Sequence, residues 1–330
     1  MRLGIIGLKG HQSVVFTGMR QLGDWEIVGV AEDNRAAADR FKQRERLASK
    51  AVVFDDWRRL LDHCPMDVCC VCDENGVRAE QLLALAKLGV HVVAEKPLTT
   101  TLADLQRVRA AWDKAKGRLT MLLTMRHEGK YAVAHKLVRD GAVGEPLLES
   151  VQKSYRLETR EDWFRSFKRL GGTIPYIGIH AVDLMRWIGG QEFTQVAAVH
   201  GTQGKRDVMG ETESHASLLL KMANGGSATA HLDYLRPSTA SDHGDDRLHL
   251  AGTEGVIDMI GANKNVVVLT SKQKQHEVES KPVPNLFVAF MEAIQKNEPT
   301  PIPAEDCFRV TEIVLKAREA AETGKVIALT

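Results

Sequence analysis

Through its first third the chain alternates continuous apolar runs with amphipathic stretches. RLGIIG (2–7), WEIVGVAED (25–33), SKAVVF (49–54), MDVCCVC (66–72), VHVVAEKP (90–97) and LTMLLTMR (119–126) read as six strands. Helical periodicity follows Gly10 and returns in DDWRRLLDH (55–63), Arg78–Leu88 and Leu102–Lys116. Strands that are apolar on both faces, with helices between them, predict a parallel sheet covered on both sides. Sequential crossovers of this kind give a doubly wound sheet whose ligand lies at the carboxyl ends of its strands.

The texture changes near residue 125. Tyr131–Arg139 reads as a helix that stops at DGAVGEP (140–146). Longer runs with period-two alternation follow: LLESVQKSYRL (147–157), QVAAVHGTQ (195–203), HASLLLKM (215–222), GSATAHLDYL (226–235), RLHLAGTEGVIDMI (247–260) and NVVVLT (265–270). Turn signals such as Asn224-Gly225-Gly226 separate them. Alternation predicts a mostly antiparallel sheet with one face covered. The expected organisation is two α/β domains, 1–122 and 123–330.

Composition narrows the function. The net charge of +1 is spread without a basic half, which argues against nucleic acid or an anionic membrane as partner. The chain opens directly on a strand, without the apolar stretch and cleavage site of a signal peptide, so a cytoplasmic protein is expected. Of the five cysteines, Cys69, Cys70 and Cys72 lie in one apolar strand. Adjacent strand residues face opposite ways, so reduced, buried thiols are expected rather than a metal site.

Four places carry candidate chemistry. Gly7-x-Lys9-Gly10-x-Gln12 stands between a strand and a helix, where a glycine-rich turn brings backbone amides to a pyrophosphate. The alternative is an ordinary strand-to-helix loop. Glu32 or Asp33, at the end of the second strand, is placed to bind the adenosine ribose and to repel a 2′-phosphate, favouring NAD over NADP. The alternative there is a solvated acidic loop. Lys96 closes a buried strand ahead of Pro97, and a lysine desolvated there becomes a usable acid or base. A snorkelling lysine is the plainer reading. In GGTIPYIGIHAVDLMRW (171–187), helical spacing from Tyr176 onward puts Tyr176, His180 and Asp183 on one face, either as a site or as a satisfied polar cluster.

Glu95-Lys96-Pro97, followed by Gly171-Gly172 with His180 and Asp183, resembles the Gfo/Idh/MocA oxidoreductase family nearly end to end. AEQLLALAKLGVHVVAEKPL (79–98), RDGAVGEPL (139–147), DWFR (162–165) and AREAAETGKVIAL (317–329) are similar to family segments. The resemblance implies an N-terminal Rossmann domain and a C-terminal α/β domain with a large open sheet. It also implies a nicotinamide cofactor and hydride chemistry on sugars, inositols or related polyols. In that family the lysine matching Lys96 touches the cofactor and the reacting oxygen, and the residue matching His180 shares in proton transfer. The chain departs from the pattern at Lys9 and Gln12, at Asp73-Glu74 before Asn75 (usually Thr-Pro-Asn), at Arg78 for a usual histidine, and at Tyr176 for an acidic residue. A lysine in the loop adds positive charge near the pyrophosphate, and Gly10-His11-Gln12 is expected to keep presenting amides to it.

The leading expectation is an NAD-dependent oxidoreductase of a sugar, inositol, polyol or sugar acid. Lys96 polarises the reacting oxygen, His180 moves its proton, and Tyr176 and Asp183 hold ring or substrate. Arg126, Lys153, Tyr155, Trp163, Arg165 and Tyr234 are candidate substrate contacts, each with a surface or core role as the alternative. The SDHGDDR segment (241–247) reads as a solvated turn more readily than as a cation or sugar site, and no metal is expected. Two rival functions share these residues: a glycosidase or epimerase that recycles NAD in place, and a non-catalytic nucleotide or sugar binding protein. An open sheet face needs covering, so a homodimer or homotetramer is expected.

Overall fold

The structure, a computed structural model, describes every residue except Lys205 and Thr330. It divides into two compact units, one of residues 1–124 and 284–309, the other of 125–283 and 310–330.

In the first unit, β1 (Arg2–Ile6), β2 (Glu26–Ala31), β3 (Val52–Phe54), β4 (Val68–Val71), β5 (His91–Ala94) and β6 (Leu119–Met121) form one parallel sheet in the order β3-β2-β1-β4-β5-β6. The order reverses at β1 and β4, which is where a doubly wound sheet opens its ligand crevice. The central strands are apolar because both faces are covered: Ile5, Ile6, Val30, Val68, Val71, Val92 and Val93 are all fully buried. Each such side chain contributes about 1.5–3 kcal/mol relative to exposure.

Residues 284–309 belong to this unit, whereas the sequence reading assigned them to the second domain. Their anchor is Asn285, whose side-chain oxygen caps the helix Leu286–Gln295 and whose Nδ2 donates to the Val14 carbonyl at 3.0 Å. Phe287 then packs against Trp25, and Gly18 leaves the room it needs. Thr120 Oγ1 donates to the Ile302 carbonyl at 2.9 Å.

In the second unit, β7 (Pro146–Arg156), β8 (Phe193–Gly201), β9 (His215–Met222), β10 (Ser227–Arg236), β11 (Gly244–Gly252), β12 (Gly255–Ile260), β13 (Val266–Thr270), β14 (His276–Val278) and β15 (Ile327–Ala328) form one sheet. Its order is β14-β13-β12-β11-β7-β10-β9-β8-β15. Among the described residues of this sheet only β7 and β10 pair in parallel. The stretch 247–260, read from sequence as one strand, is a hairpin turning at Thr253-Glu254. The helix Ile179–Gly189 lies on the inner face. Gly178 and Gly189 permit the approach: a Cβ on them would come within 2.7 Å of Leu232 and 1.9 Å of the Glu149 carboxylate. The outer face keeps Val199, Leu219 and Val326 exposed.

Candidate active site

The turn after β1 is built on two left-handed glycines, Gly7 (φ 76°) and Gly10 (φ 74°). A Cβ on Gly7 would lie 2.4 Å from the Asp73 backbone, and one on Gly10 would lie 2.6 Å from a Glu95 oxygen. The turn therefore tolerates no side chain at either position. Most of its amides are already engaged. Gly7 N–H donates to the Ala31 carbonyl, Lys9 N–H to the Cys72 carbonyl, Leu8 N–H to Glu32 Oε2, and His11 N–H to Glu95 Oε2. The expectation that His11 offers its amide to phosphate is thus corrected, because a buried carboxylate takes it. Gln12 turns its side-chain amide onto the Leu8 carbonyl. What remains for an anion is the start of the helix Gln12–Leu22, which has no acidic residue in its first turn. The opening N–H groups of a helix have no intrahelical acceptor and carry its positive end.

Lys9 Nζ lies 3.4 Å from Asp73 Oδ1. Partial burial works against its charge, but Asp73, Glu32, Glu74 and Asp33 together raise its pKa above the ordinary lysine value. Burial raises the Glu32 carboxyl pKa, while a hydrogen bond with Glu32 lowers that of Asp33. Beside these groups opens a cavity of about 290 Å³ lined by Gly7, Ala31, Glu32, Asp33, Asp55 and Trp57, among others. It lies at the carboxyl ends of β1 and β2 and on the loop after β3, where the adenosine half of a dinucleotide belongs. The residues present fit that group: the two left-handed glycines turn the chain at the crevice, and the Glu32 and Asp33 carboxylates would serve as ribose acceptors.

At the end of β5, Lys96 is 2% exposed. Its ammonium lies 3.7 Å from the carboxylate of Glu95, itself 3% exposed. Burial opposes ionisation of Glu95, but the His11 ring, its hydrogen bonds and the Lys96 charge hold the pKa down to about 2. Arg78, fully buried, ties the neighbouring loops together. Its guanidinium donates to the Pro97 carbonyl (2.5 Å), the Asp73 carbonyl (2.6 Å) and Asn75 Oδ1 (3.0 Å). The reading from sequence noted Arg78 only as a departure. Its long reach was invisible there, although an arginine opening a helix whose buried face is mostly apolar was a signal.

In the second unit, Gly171 and Gly172 are both left-handed and lead into a wide, π-type turn at Ile174–Gly178. Such turns recur at functional sites. The regular helix begins only at Ile179, so the assumption of unbroken helical spacing from Tyr176 is corrected. The Tyr176 ring packs edge-on against Phe164 at 5.2 Å and Trp163 at 6.1 Å. His180 is 6% exposed on the first turn of the helix. Asp183 accepts from Arg126 through Nε (3.1 and 3.0 Å) and a terminal nitrogen (2.5 Å). Glu213, 40 residues away in sequence, accepts from Thr173 N–H at 2.8 Å and from the His200 ring at 3.0 Å. It anchors the glycine pair, and no local pattern announced it.

The remaining sequence candidates separate. Lys153 is fully buried, 2.5 Å from Asp246 and 3.1 Å from Met125 Sδ. Tyr155 stacks on His243, and Tyr234 is buried against Phe164. Trp163 donates to Glu161, whereas the Arg165 side chain is exposed. In the 241–247 segment, Asp245 is taken by Arg247 and His243 by Glu158. Among the described residues no group of three or more His, Cys, Asp or Glu side chains is arranged to hold a metal ion, and no helix is long and apolar enough to cross a membrane.

A doubly wound parallel sheet with this turn, crevice and buried lysine defines a dinucleotide-binding oxidoreductase. Residues 1–123 match the oxidoreductase family with an NAD-binding Rossmann fold, and residues 131–258 match the Gfo/Idh/MocA C-terminal domain. The chain belongs to the Gfo/Idh/MocA family of oxidoreductases, and its cofactor is NAD. It is similar to the myo-inositol 2-dehydrogenase of Thermotoga maritima, at 24% identity over 83% of this chain and 79% of that one. It is 25% identical to the levoglucosan dehydrogenase of Pseudarthrobacter phenanthrenivorans over 61% of this chain and 57% of that one. Among solved structures, a Thermotoga maritima protein described as an oxidoreductase superposes with a TM-score of 0.93 at 30% identity, over 99% of this chain and 100% of the other.

Proposed function

We propose that this protein is an NAD-dependent dehydrogenase that oxidises a ring hydroxyl of a cyclic polyol or sugar. The observation that carries the reading is Lys96: a lysine held in a dry environment at the carboxyl end of β5, beside a carboxylate kept ionised. The relatives that act on inositol and levoglucosan support the substrate class. Bound NAD supplies the hydride acceptor.

Lys96 donates a hydrogen bond to the reacting oxygen and stabilises the charge that develops as its proton leaves. Glu95 sits 3.7 Å from the Lys96 ammonium and, through the His11 amide and ring, ties it to the cofactor loop. His180 receives the proton. Asp183, engaged by Arg126, fixes the helix that carries His180 and is a positioning residue in this reading. Tyr176, Trp163 and Phe164 supply an aromatic wall suited to the apolar face of a sugar ring. The outer face of the second sheet is proposed to pack against another copy of the chain. The buried, unbridged cysteines are consistent with a reducing, cytoplasmic setting.

The test is a panel of inositols, aldoses and anhydrosugars incubated with NAD, with formation of reduced nicotinamide followed by absorbance. Sustained turnover of at least one cyclic polyol or sugar, abolished in Lys96→Ala, is the expected result. Absence of turnover across the panel by a protein that binds NAD would overturn the proposal.

A further inference from the structure

We propose that Lys9 is the pyrophosphate counterion of this enzyme, held in reserve by Asp73, and that the two residues work as an exchanging pair. The inference rests on the dehydrogenase reading and concerns how that site takes its cofactor.

A glycine-rich turn normally neutralises a pyrophosphate with backbone amides. Here Gly7, Leu8, Lys9 and His11 have spent theirs on protein acceptors, two of which are the carboxylates of Glu32 and Glu95. The crevice also gathers Asp33, Asp73 and Glu74, whose charges are felt at Lys9 together with that of Glu32. A dianionic pyrophosphate entering this corner meets several carboxylates and few unspent amides. The ammonium of Lys9 is a cation at the tip of the turn, with Arg58 lining the same cavity from the loop after β3, and the Lys9 backbone is pinned to the Cys72 carbonyl at 2.8 Å. The side chain is therefore anchored at its root beside the anion path.

The geometry of Asp73 says which partner moves. Its carboxylate accepts from Glu74 N–H at 2.7 Å and from Gln81 Nε2 at 2.8 Å, both better bonds than the 3.4 Å contact with Lys9. Its backbone abuts Gly7, and Arg78 holds its carbonyl. Asp73 is thus fixed by donors other than Lys9, and the flexible four-carbon stem of Lys9 is the part free to swing. When cofactor enters, the ammonium leaves a long ion pair for a doubly charged acceptor. When cofactor departs, Asp73 takes the ammonium back and keeps the partly buried charge compensated. The pair accounts for two departures from the family pattern at once: a lysine in the turn is tolerated because an aspartate faces it, and an aspartate is tolerated beside a phosphate because a lysine covers it.

The prediction runs against the expectation that restoring a glycine improves the turn. Wild type, K9G, K9M, D73N and K9M/D73N are titrated with NADH, ADP-ribose and adenosine by calorimetry, at two salt concentrations, with melting curves to verify folding. Loss of a charge-assisted contact predicts roughly 10- to 100-fold weaker binding of NADH and ADP-ribose by K9G and K9M. Adenosine binding changes little, and the salt dependence of NADH binding flattens. D73N binds NADH tighter than wild type, and K9M/D73N recovers part of the K9M loss. Equal or tighter NADH binding by both K9G and K9M overturns the inference. So does a loss as large for adenosine as for ADP-ribose, which would mark a disturbed fold. If wild type itself binds no NADH, the dehydrogenase reading falls and this inference with it; if wild type binds and the Lys9 variants match it, only the inference falls.

Discussion

Removing the carboxylate of Asp246 isolates a buried charge. Lys153 is 1% exposed, and its ammonium lies 2.5 Å from Asp246 Oδ2 and 3.1 Å from the Met125 sulfur, with the Tyr155 ring 5.3 Å away. Burial lowers the Lys153 pKa, and Asp246 is the main influence raising it back. In Asp246→Asn the ammonium keeps a neutral amide oxygen, a weak sulfur acceptor and a ring face, none of which replaces an ion pair. Breaking one side of a buried pair costs about 3–5 kcal/mol. At about 2–4 °C per kcal/mol for a domain of this size, the melting point should fall by roughly 6–20 °C.

The pH dependence has a definite sign. A lysine whose folded pKa lies below its unfolded value penalises the folded state while it is charged. The penalty is relieved as pH rises through the folded pKa toward the ordinary lysine range. Asp246→Asn lowers the folded pKa further, so its deficit is full at neutral pH and shrinks as pH climbs. The double variant K153M/D246L removes both charges and should melt near wild type or above it. Thermal unfolding of the three proteins by circular dichroism across neutral to alkaline pH reads all of this. A deficit under 1 kcal/mol, a deficit that does not change with pH, or a double variant worse than D246N would refute the reasoning.

Four further outcomes follow from the same structure. Glu149 is fully buried with no hydrogen-bond partner on either oxygen among the described residues, and burial raises its pKa well above the usual carboxyl value. The folded state therefore retains a proton that the unfolded chain releases, and stability falls as pH rises above the usual carboxyl range; E149Q should abolish that slope in denaturant titrations at acid and neutral pH. Gly7→Ala forces a side chain into a left-handed position 2.4 Å from the Asp73 backbone, and should cost most of the NADH affinity in a fluorescence titration. Glu213→Gln keeps the size but weakens the anchor on Thr173 and His200; turnover should drop about tenfold or more while NADH binding holds. Light scattering should give a mass of two or four chains, and Leu219→Lys on the exposed sheet face should reduce it.

Much of the first unit could be read from the chain because strands buried on both faces leave uninterrupted Val and Ile runs, and the helix Arg78–Leu88 was legible to the residue. The hairpin at 244–260 was hidden because Gly252 and Gly255 sit within one apolar run, and alternation does not reveal where a strand folds back. The wide turn before His180 was hidden because apolar residues surround it on every side, so period alone could not expose an inserted residue. Residues 284–309 return to the first unit through Asn285 and Phe287, contacts that span most of the chain length and leave no local trace. Individual site residues such as Lys9, Glu95 and Asp183 were named from their positions. Their pairings were not, because Lys9–Asp73 and Arg126–Asp183 join segments dozens of residues apart.

The central claim is that Lys96 works on the reacting oxygen of a polyol while NAD is bound in the adjoining crevice. Its most direct test compares wild type and Lys96→Ala in one experiment, measuring NADH affinity by fluorescence and turnover of the best substrate by absorbance. The account predicts turnover lower by a factor of about a hundred or more, with NADH affinity within a few-fold of wild type. A Lys96→Ala protein that turns over at the wild-type rate while binding NADH normally would contradict it.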